Sequence, residues 1–503
     1  MSEQGDMSKQ GEPIILQDYS PIDDKLKNHK ALLDCLRDVR KPANKIYVLP
    51  NWEEQSEASK GRLAVIDDVW IDAHKRCECR TQKYIGILQC KDVTIFIGSR
   101  FDNKIHNYFT SYIISKALNI KGLLLQDMQP EITKPEHMVE QLIAIIFVNQ
   151  IRVAWKQGLF RMYQKFECND AKVRGKIDVT RHINLNPLFN GRIAYSYREY
   201  TADNDVNRII FTAFSMLEKN YRSFMKGLLN MEGNRSVKDC MRQLGSTVQP
   251  VPRQELQKLL KRKNQKIHHS VYKDWEAVRE TAIMILRNMG VDIAHEDKYA
   301  INGILIDMTE MWERYLESIL REKGQESGMQ FKAQDSFGVL YGKNYNFRRK
   351  FIPDFCWKRE NKTVFIADAK YRESWEKIAE KEQERKQEQE EGAGTGKLEW
   401  KWSNDVREDV FQVLSYMYAR DCKHGAIICP VKVDSRIESE SVNDTDKFLY
   451  HTEYYVRGKG SNDDIFHLFA LAIPQKCTDY ADFKVKMKSS EENLRKVFNA
   501  YIG

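Results

Sequence analysis

Residues 351–371 have the sequence FIPDFCWKRENKTVFIADAKY, and this stretch decides which fold the chain is expected to contain. Its first seven residues predict a short strand with Asp354 directly after a proline, and the apolar beginning of residues 363–371 predicts a buried strand. Asp368 and Lys370 lie two residues apart near the end of that strand. Because side chains alternate along a strand, both are expected on the same face of the sheet.

Two aspartates and a lysine in this arrangement suit the metal-dependent hydrolysis of a phosphodiester. Asp354 and Asp368 offer hard oxygen ligands that can hold Mg²⁺ against a phosphate from adjacent strands. Lys370 can orient the attacking water or stabilise charge on the phosphoryl group. A bare Asp…Asp-x-Lys pattern also occurs by chance in many proteins, so the prediction depends on the flanking elements as well.

Helices on either side of the two strands complete an ordered set. Residues 307–320 predict an amphipathic helix that presents Glu313, and residues 405–420 predict a helix on which Gln412 and Tyr416 lie one turn apart. The other glutamates of the first helix are interpreted as a solvated face, and a Gln and a Tyr at this spacing are more often surface and core residues. The candidate catalytic residues are Asp354, Asp368, Lys370, Glu313 and Gln412, of which Asp354 and Asp368 are the candidate metal ligands.

This ordered set resembles a nuclease family. The helix with Glu313, the Pro353–Asp354 pair, the Asp368–Lys370 triplet and the Gln412–Tyr416 pair are similar to the PD-(D/E)xK fold of type II restriction enzymes and RecB-type nucleases. Asp368 stands where many members have Glu, and the pattern permits either. The resemblance implies an α/β chain (α+β overall) with a C-terminal mixed sheet flanked by helices, preceded by a β-rich N-terminal unit and a helical middle region.

Two further stretches resemble McrC-type proteins. They are IGSRFD (97–102) with YFTSYIISKAL (108–118), and RGKIDVTRHINLN (174–186) with GRIAYSYREYTADNDVNRII (191–210). The resemblance covers most of the chain and implies the nuclease subunit of a 5-methylcytosine-dependent, McrBC-like restriction system. It further implies Mg²⁺ as cofactor, methylated DNA as substrate, and an McrB-like AAA+ GTPase hexamer whose GTP hydrolysis this subunit stimulates.

The composition is compatible with a packed chain that contacts a polyanion. Hydrophobic residues make up 42% of the 503 positions, which excludes global disorder, and the net charge is +8. Residues 1–12 lack the apolar core of a secretory signal, and the apolar run 142–148 is too short to span a bilayer. Cys77 and Cys79 are spaced poorly for zinc, so reduced thiols are the better interpretation. We therefore expect a cytoplasmic protein without a membrane contact.

Local patterns divide the chain into three regions. Residues 1–125 are expected to form a β-rich region that docks the partner, residues 126–291 a mostly helical region, and residues 292–503 the nuclease domain. Strands are predicted at 45–49, 63–71, 191–200, 424–430, 453–458 and 465–474, a hairpin over 84–98, and helices at 108–118, 135–155, 207–217, 255–263 and 275–289.

A charged segment interrupts the predicted nuclease domain. Residues 373–391 are dense in Glu, Lys, Gln and Arg, and we interpret 373–397 as a solvated helical arm or a flexible insertion rather than a core element. Its end, GAGTGK (392–397), has three residues instead of four before the Gly-Lys pair, and Leu398 follows instead of Ser or Thr. It is therefore not a phosphate-binding loop, and nucleotide hydrolysis is expected in a partner.

The sequence is compatible with three functions. A restriction endonuclease subunit would cut DNA only when its GTPase partner delivers it. A stand-alone RecB-like repair nuclease would act on DNA ends without a partner, and a non-catalytic activator or scaffold of an AAA+ partner would carry a vestigial site. The intact aspartates and lysine argue against the third. The basic residues 348–350 are the better candidates for contacts with DNA phosphates, whereas the basic stretch 258–266 has the character of a solvated helix face.

Overall fold

The computed structural model describes residues 14–27, 30–39, 45–49, 63–70, 77–90, 93–103, 106–117, 135–188, 190–230, 234–261, 266–267, 269–288, 302–324, 329–341, 347–390, 403–432, 449–456 and 464–502. Its chain divides into two compact units, Met1–Glu136 with Tyr299–Gly503, and His137–Lys298. The mixture of helices with several sheets confirms the predicted α/β class. The division into three regions stays a prediction, and the first compact unit combines residues from the beginning and the end of the chain.

The N-terminal part of the first unit is rich in strands, as the sequence predicts. The predicted hairpin is present as two antiparallel strands, and its turn, residues 91 and 92, lies outside the described residues. The elements in chain order are β1 (Ile14–Gln17), α1 (Asp24–Lys27), α2 (Lys30–Arg37), β2 (Lys45–Leu49), β3 (Ile66–Trp70), β4 (Cys77–Thr81), β5 (Tyr84–Cys90), β6 (Val93–Gly98) and α3 (Tyr108–Ala117).

The second unit is mostly helical and contains a small antiparallel sheet. Its elements are α4 (Pro135–Ala154, which begins just before the unit boundary), β7 (Met162–Asp170), β8 (Lys176–Ile177), α5 (Val179–Leu185), β9 (Ile193–Thr201), α6 (Asp205–Asn220), α7 (Arg222–Asn230), α8 (Arg235–Thr247), α9 (Arg253–Lys261) and α10 (Lys273–Asn288). The sheet order is β7-β9-β8. The Asn207 amide donates to the carbonyls of Phe160 and Ala202 and thereby fixes the first turn of α6. Among the described residues, no helix has both the length and the apolar character needed to cross a membrane.

A strand distant in sequence enters the sheet of the N-terminal part. This strand, β10 (Asn302–Asp307), pairs antiparallel with β5 and parallel with β2, which gives the order β1-β6-β5-β10-β2. We call this five-stranded sheet the N-terminal sheet. A Cβ on Gly303 would lie 2.3 Å from the Ile87 carbonyl oxygen, and one on Gly86, at φ +147°, would lie 2.0 Å from that of Ile304. The close approach of β5 and β10 therefore requires glycine at both positions.

The remainder of the first unit forms a mixed sheet with flanking helices, which we call the C-terminal sheet. Its strand order within the described residues is β11-β14-β15-β16-β18-β17, and β16 is parallel to both of its neighbours. β12 and β13 form a separate antiparallel pair. The elements are α11 (Met308–Gly324), β11 (Gln330–Ala333), β12 (Phe337–Tyr341), β13 (Phe347–Phe351), β14 (Phe355–Arg359), β15 (Lys362–Ala369), α12 (Glu373–Glu390), α13 (Asn404–Arg420), β16 (His424–Lys432), β17 (Leu449–Val456), β18 (Asp464–Ile473) and α14 (Tyr480–Ile502).

The prediction of a solvated arm is wrong for the first half of α12. Trp375 and Ala379, one turn apart, are each 2% exposed and belong to the core between α13 and the C-terminal sheet. Glu376 is also buried, and the Arg100 Nε–H donates to its carboxylate at 2.8 Å. Although most residues of the segment are charged, Trp375 and Ala379 form an apolar face, and this face makes the first half of the helix part of the core. Residues 392–397 lie outside the described residues.

A buried ion cluster joins the N-terminal and C-terminal sheets. Arg100, which follows β6, donates from Nη1 to Asp18 Oδ2 at 3.1 Å and from Nε to Glu376 Oε2 at 2.8 Å. Its guanidinium lies 4.5 Å from the ring centre of Tyr371, whose hydroxyl is 3.1 Å from Ser99 Oγ. Because Asp18 is 0% exposed and Glu376 4% exposed, each carboxylate depends on this arginine for its compensation.

Candidate active site

The antiparallel pair β14 and β15 places the two candidate metal ligands opposite each other. Phe355 pairs with Ala367, so Asp354, one residue before β14, faces Asp368 near the end of β15. Asp368 is 2% exposed, and Asp354 is partly exposed. The Ala369 N–H donates to Asp354 Oδ2 at 2.7 Å, which fixes the orientation of that carboxylate across the strand ends. The predicted proximity of the two aspartates is therefore present.

Lys370 points its ammonium group into a cluster of acceptors. Lys370 Nζ lies 2.6 Å from Asp368 Oδ2, 3.3 Å from Asp409 Oδ1 and 3.3 Å from Gln412 Oε1. Burial alone would lower the pKa of Lys370, but the carboxylates of Asp368 and Asp409 outweigh it and raise the pKa above its ordinary value. The lysine is therefore a fixed cation directly beside the aspartate pair.

Sequence reasoning missed Asp409 on α13. Its side chain is 3% exposed and contacts both Lys370 Nζ and the Trp375 Nε1–H, which donates to Asp409 Oδ2 at 2.8 Å. Arg372 Nη1 lies 3.4 Å from the same oxygen. Asp409 is three residues before Gln412 and hence on the same helix face, a spacing that could have identified it.

Gln334 connects Glu313 to the backbone of Asp354. The Gln334 side-chain N–H donates to Glu313 Oε1 at 2.8 Å, while the Gln334 backbone N–H donates to the Asp354 carbonyl at 2.9 Å. Burial, with Asp368 contributing, raises the pKa of Glu313. Glu317, by contrast, pairs with Arg321 within the helix, in agreement with a solvated face.

Gln412 and Tyr416 form a hydrogen-bonded chain along α13. The Gln412 Nε2–H donates to the Tyr416 hydroxyl at 2.6 Å, and the Tyr416 hydroxyl donates to the Ile352 carbonyl at 3.4 Å. Ile352 immediately precedes the Pro353–Asp354 pair. The two side chains therefore connect Lys370 to the backbone that positions Asp354, and the structure brings all five predicted site residues into one region.

The donor set fits a hard divalent cation. Burial raises the pKa of Asp354 well above its usual range, and the nearby carboxylates of Asp368 and Glu313 add to the shift. Within the described residues, Glu313 does not join the two aspartates in a cluster of three ligand atoms that all lie within 4.8 Å of one another. Mg²⁺ commonly takes one or two carboxylates and completes its shell with water and phosphate, so Asp354 and Asp368 are the residues that would hold it.

The remaining candidates from the sequence lie outside this site. Lys350 is exposed on β13, four residues before Asp354, and Lys258 is exposed on α9. Cys77 and Cys79 lie on β4, and neither forms a disulfide bond there.

The chain matches one family of known proteins over most of its length. The model of a family described as McrBC 5-methylcytosine restriction system component matches residues 79–391, more than half of the chain. No curated protein matches. The chain is similar at 16% identity to a chain of a refined half-complex from a tetradecameric assembly of Thermococcus gammatolerans McrB AAA+ hexamers with bound McrC, covering 96% of this chain and 100% of that one at a TM-score of 0.46. It is similar, also at 16% identity, to a chain of the Thermococcus gammatolerans McrBC complex solved by cryo-EM. This match covers 62% of this chain and 88% of that one at a TM-score of 0.31. Because both TM-scores are below 0.5, the assignment to a family rests on the family model alone.

Proposed function

Because the chain belongs to the McrBC 5-methylcytosine restriction system component family, we propose that it is the McrC-type nuclease subunit of a modification-dependent restriction complex. Its substrate is methylated DNA, its cofactor is Mg²⁺, and its fold from α11 onward is the PD-(D/E)xK nuclease fold. The observation that carries the proposal is the position of Lys370 Nζ, 2.6 Å from Asp368 Oδ2 and beside the strand ends where Asp354 faces Asp368.

Each residue of the site has its own role in hydrolysis. Asp354 and Asp368 would hold the cation, which would offset charge on the phosphoryl oxygens and lower the pKa of a water. Lys370 orients the attacking water towards phosphorus or stabilises the charge that develops on the phosphate. Asp409 and Gln412 fix the Lys370 ammonium group, so its position does not depend on the substrate.

The order of elements supports the nuclease fold. A helix with Glu313 precedes the antiparallel strands β14 and β15, and α13 leads into β16, which lies parallel to β15. This order puts the acidic residues at the end of a strand pair and the Gln412–Tyr416 chain on the helix that packs over it. The exposed Lys350 on the preceding strand suits contact with a DNA phosphate.

The chain acts with an AAA+ partner in this proposal. An McrB-like GTPase hexamer delivers methylated DNA, the β-rich N-terminal region docks on it, and docking stimulates GTP hydrolysis. The family match begins at residue 79 and so covers part of the N-terminal region as well as the candidate site.

The proposal is tested by plasmid cleavage with Mg²⁺. This chain is assayed alone and with an McrB-like AAA+ GTPase plus GTP, on plasmids with and without 5-methylcytosine. We expect cleavage only with partner, GTP and methylation, and none with Asp368→Asn, whereas Glu317→Gln on the solvated face of α11 stays active. Asp368→Asn should still stimulate the partner's GTP hydrolysis, because docking does not involve the site.

Other outcomes decide between the alternatives. Cutting of DNA ends by this chain alone would identify a stand-alone RecB-like nuclease. Undiminished partner GTPase stimulation without any cleavage would identify a non-catalytic activator of the AAA+ partner.

A further inference from the structure

A group of histidines lies on one face of the C-terminal sheet, away from the candidate active site. β17, at the edge of the sheet as described, carries His451 and Glu453, and the neighbouring β18 carries His467 directly opposite Glu453. His424, at the start of β16, lies on the other side of His467. The ring of Tyr501 from α14 covers the group, with its centre 4.5 Å from that of His467.

The ring nitrogens of these histidines face one another. His467 Nδ1 lies 3.1 Å from His451 Nε2, and His467 Nε2 lies 3.1 Å from His424 Nδ1. One ligand atom each from His451, Glu453 and His467 can be chosen so that all lie within 4.8 Å of one another. Tetrahedral zinc with Zn–N bonds of about 2.0–2.1 Å separates two ring nitrogens by roughly 3.3 Å, close to the distance between His451 and His467.

The hydrogen bond to His424 determines which ring nitrogen of His467 is an acceptor. When the His467 Nε2–H donates to His424 Nδ1, the tautomer of His467 is fixed and Nδ1 is an acceptor. A ligating histidine commonly donates its other ring N–H in this way, and a ligating carboxylate is commonly held by a further hydrogen bond. The Tyr501 hydroxyl donates such a bond to Glu453 Oε1.

Burial and access also suit a bound ion. His467 is 0% exposed, so its ring is held in place by the surrounding strands. His451 and Glu453 are partly exposed on β17, which leaves a route for an ion from solvent.

We propose that His451, Glu453 and His467 bind one divalent transition-metal ion of the zinc class, with a water in the fourth position. Two histidines and one glutamate are a known zinc ligand set. The ion fastens β17 to β18 beneath the end of α14. It is distinct from the Mg²⁺ proposed at Asp354 and Asp368, because imidazole ligands select transition metals over magnesium. The inference does not depend on the nuclease function.

The test uses the full chain, stripped with a chelator and then titrated with Co²⁺ or Zn²⁺ in excess Mg²⁺. We expect one equivalent of Co²⁺ with the intense visible absorption of four-coordinate cobalt, and a higher melting temperature with Zn²⁺. Glu453→Gln and His451→Gln, both at partly exposed positions, should lose the equivalent and the zinc-dependent stabilisation. Asp368→Asn and His106→Gln, a histidine outside the group, should retain both.

Three results would overturn the proposal. Absence of stoichiometric Co²⁺ binding by the wild-type chain would reduce the group to a hydrogen-bonded histidine array. Retention of the ion by both Glu453→Gln and His451→Gln would place it elsewhere. Loss of the ion in Asp368→Asn with retention in Glu453→Gln would assign it to the candidate active site. Melting curves without metal distinguish a variant that fails to fold from one that fails to bind.

Discussion

In the N-terminal sheet, the strand β10 between β5 and β2 comes from residues 302–307, whereas the strands of the C-terminal sheet follow one another between residues 330 and 473. The first arrangement requires close backbone contact between segments far apart in sequence, and Gly86 and Gly303 provide it. The second brings Asp354 and Asp368 together within one hairpin of adjacent strands. The aspartate pair thus depends on strands that are neighbours in sequence, whereas the N-terminal sheet depends on a contact between segments distant in sequence.

The largest expected effect is at the link between the two sheets. Arg100→Met leaves Asp18 and Glu376 buried without their cation, and we expect the free energy of unfolding to fall by about 3–5 kcal/mol. Urea denaturation measures it. Arg321→Met, which removes a partly exposed pair within α11, is the control and should cost no more than about 0.5 kcal/mol. Equal losses in the two variants would mean that the cluster does not join the sheets.

The next effect concerns the site alone. Lys370→Ala should lower the rate of Mg²⁺-dependent cleavage about 10²–10³-fold, because the fixed cation beside Asp368 is lost. Raising the Mg²⁺ concentration should not restore the rate, whereas it should partly restore that of Asp368→Asn. Lys362→Ala, at the exposed far end of β15, serves as the control. An unchanged rate in Lys370→Ala would remove the lysine from the mechanism.

A smaller effect tests the close approach of β5 and β10. Gly303→Ala forces a Cβ against the Ile87 carbonyl oxygen and should destabilise the chain by about 1–3 kcal/mol, read from chemical denaturation. Gly227→Ala in α7, where a Cβ meets nothing within 4 Å, should instead stabilise by roughly 0.5–1 kcal/mol. If both substitutions act alike, the join is looser than the backbone distances indicate.

The smallest effect, taken over one pH unit, is a pH dependence in the N-terminal part. Burial raises the pKa of Asp102 from 3.8 to about 7, although its carboxylate accepts hydrogen bonds from Thr110 and from the Phe109 N–H. The folded state then holds a proton that the unfolded chain releases, so this stability is complete below pH 4 and lost as the pH rises through 7. Between pH 6 and pH 7 the loss is about 1 kcal/mol. Thermal melting at a series of pH values measures this loss, and Asp102→Asn should make the melting temperature less dependent on pH. If the pH dependence of the variant equals that of the wild type, Asp102 is not its source.

The local patterns of the sequence predict much of the C-terminal sheet and most of the residues gathered at the candidate site. The strands with Asp354 and Asp368, the helix with Gln412 and the N-terminal hairpin depend on contacts between near neighbours, which periodicity and turn residues encode. The helical pattern also places Glu313 on its helix, but the connection of Glu313 through Gln334 depends on a loop that no pattern specifies.

The features that the sequence did not predict depend on distant partners. β10 is a short strand with a glycine in it, and only the approach of β5 explains that glycine. Trp375 and Glu376 lie in a segment whose charge predicts solvent exposure, yet the core under α12 and the cation of Arg100 bury them. Helical spacing places Asp409 on the same face as Gln412, but its role depends on its contacts with Lys370 and Trp375, which no local pattern predicts.

The position of β10 has a consequence for folding during synthesis on the ribosome. β5 is translated roughly two hundred residues before the strand that pairs with it, and at about 5–20 residues per second this interval is about 10–40 s. During this interval the edge of β5 that later pairs with β10 is open in the nascent chain, and it can pair wrongly with strands of other chains. The helical second unit emerges within that interval, so its prompt folding and any chaperone that shields the edge determine how much of the newly made protein reaches its native state.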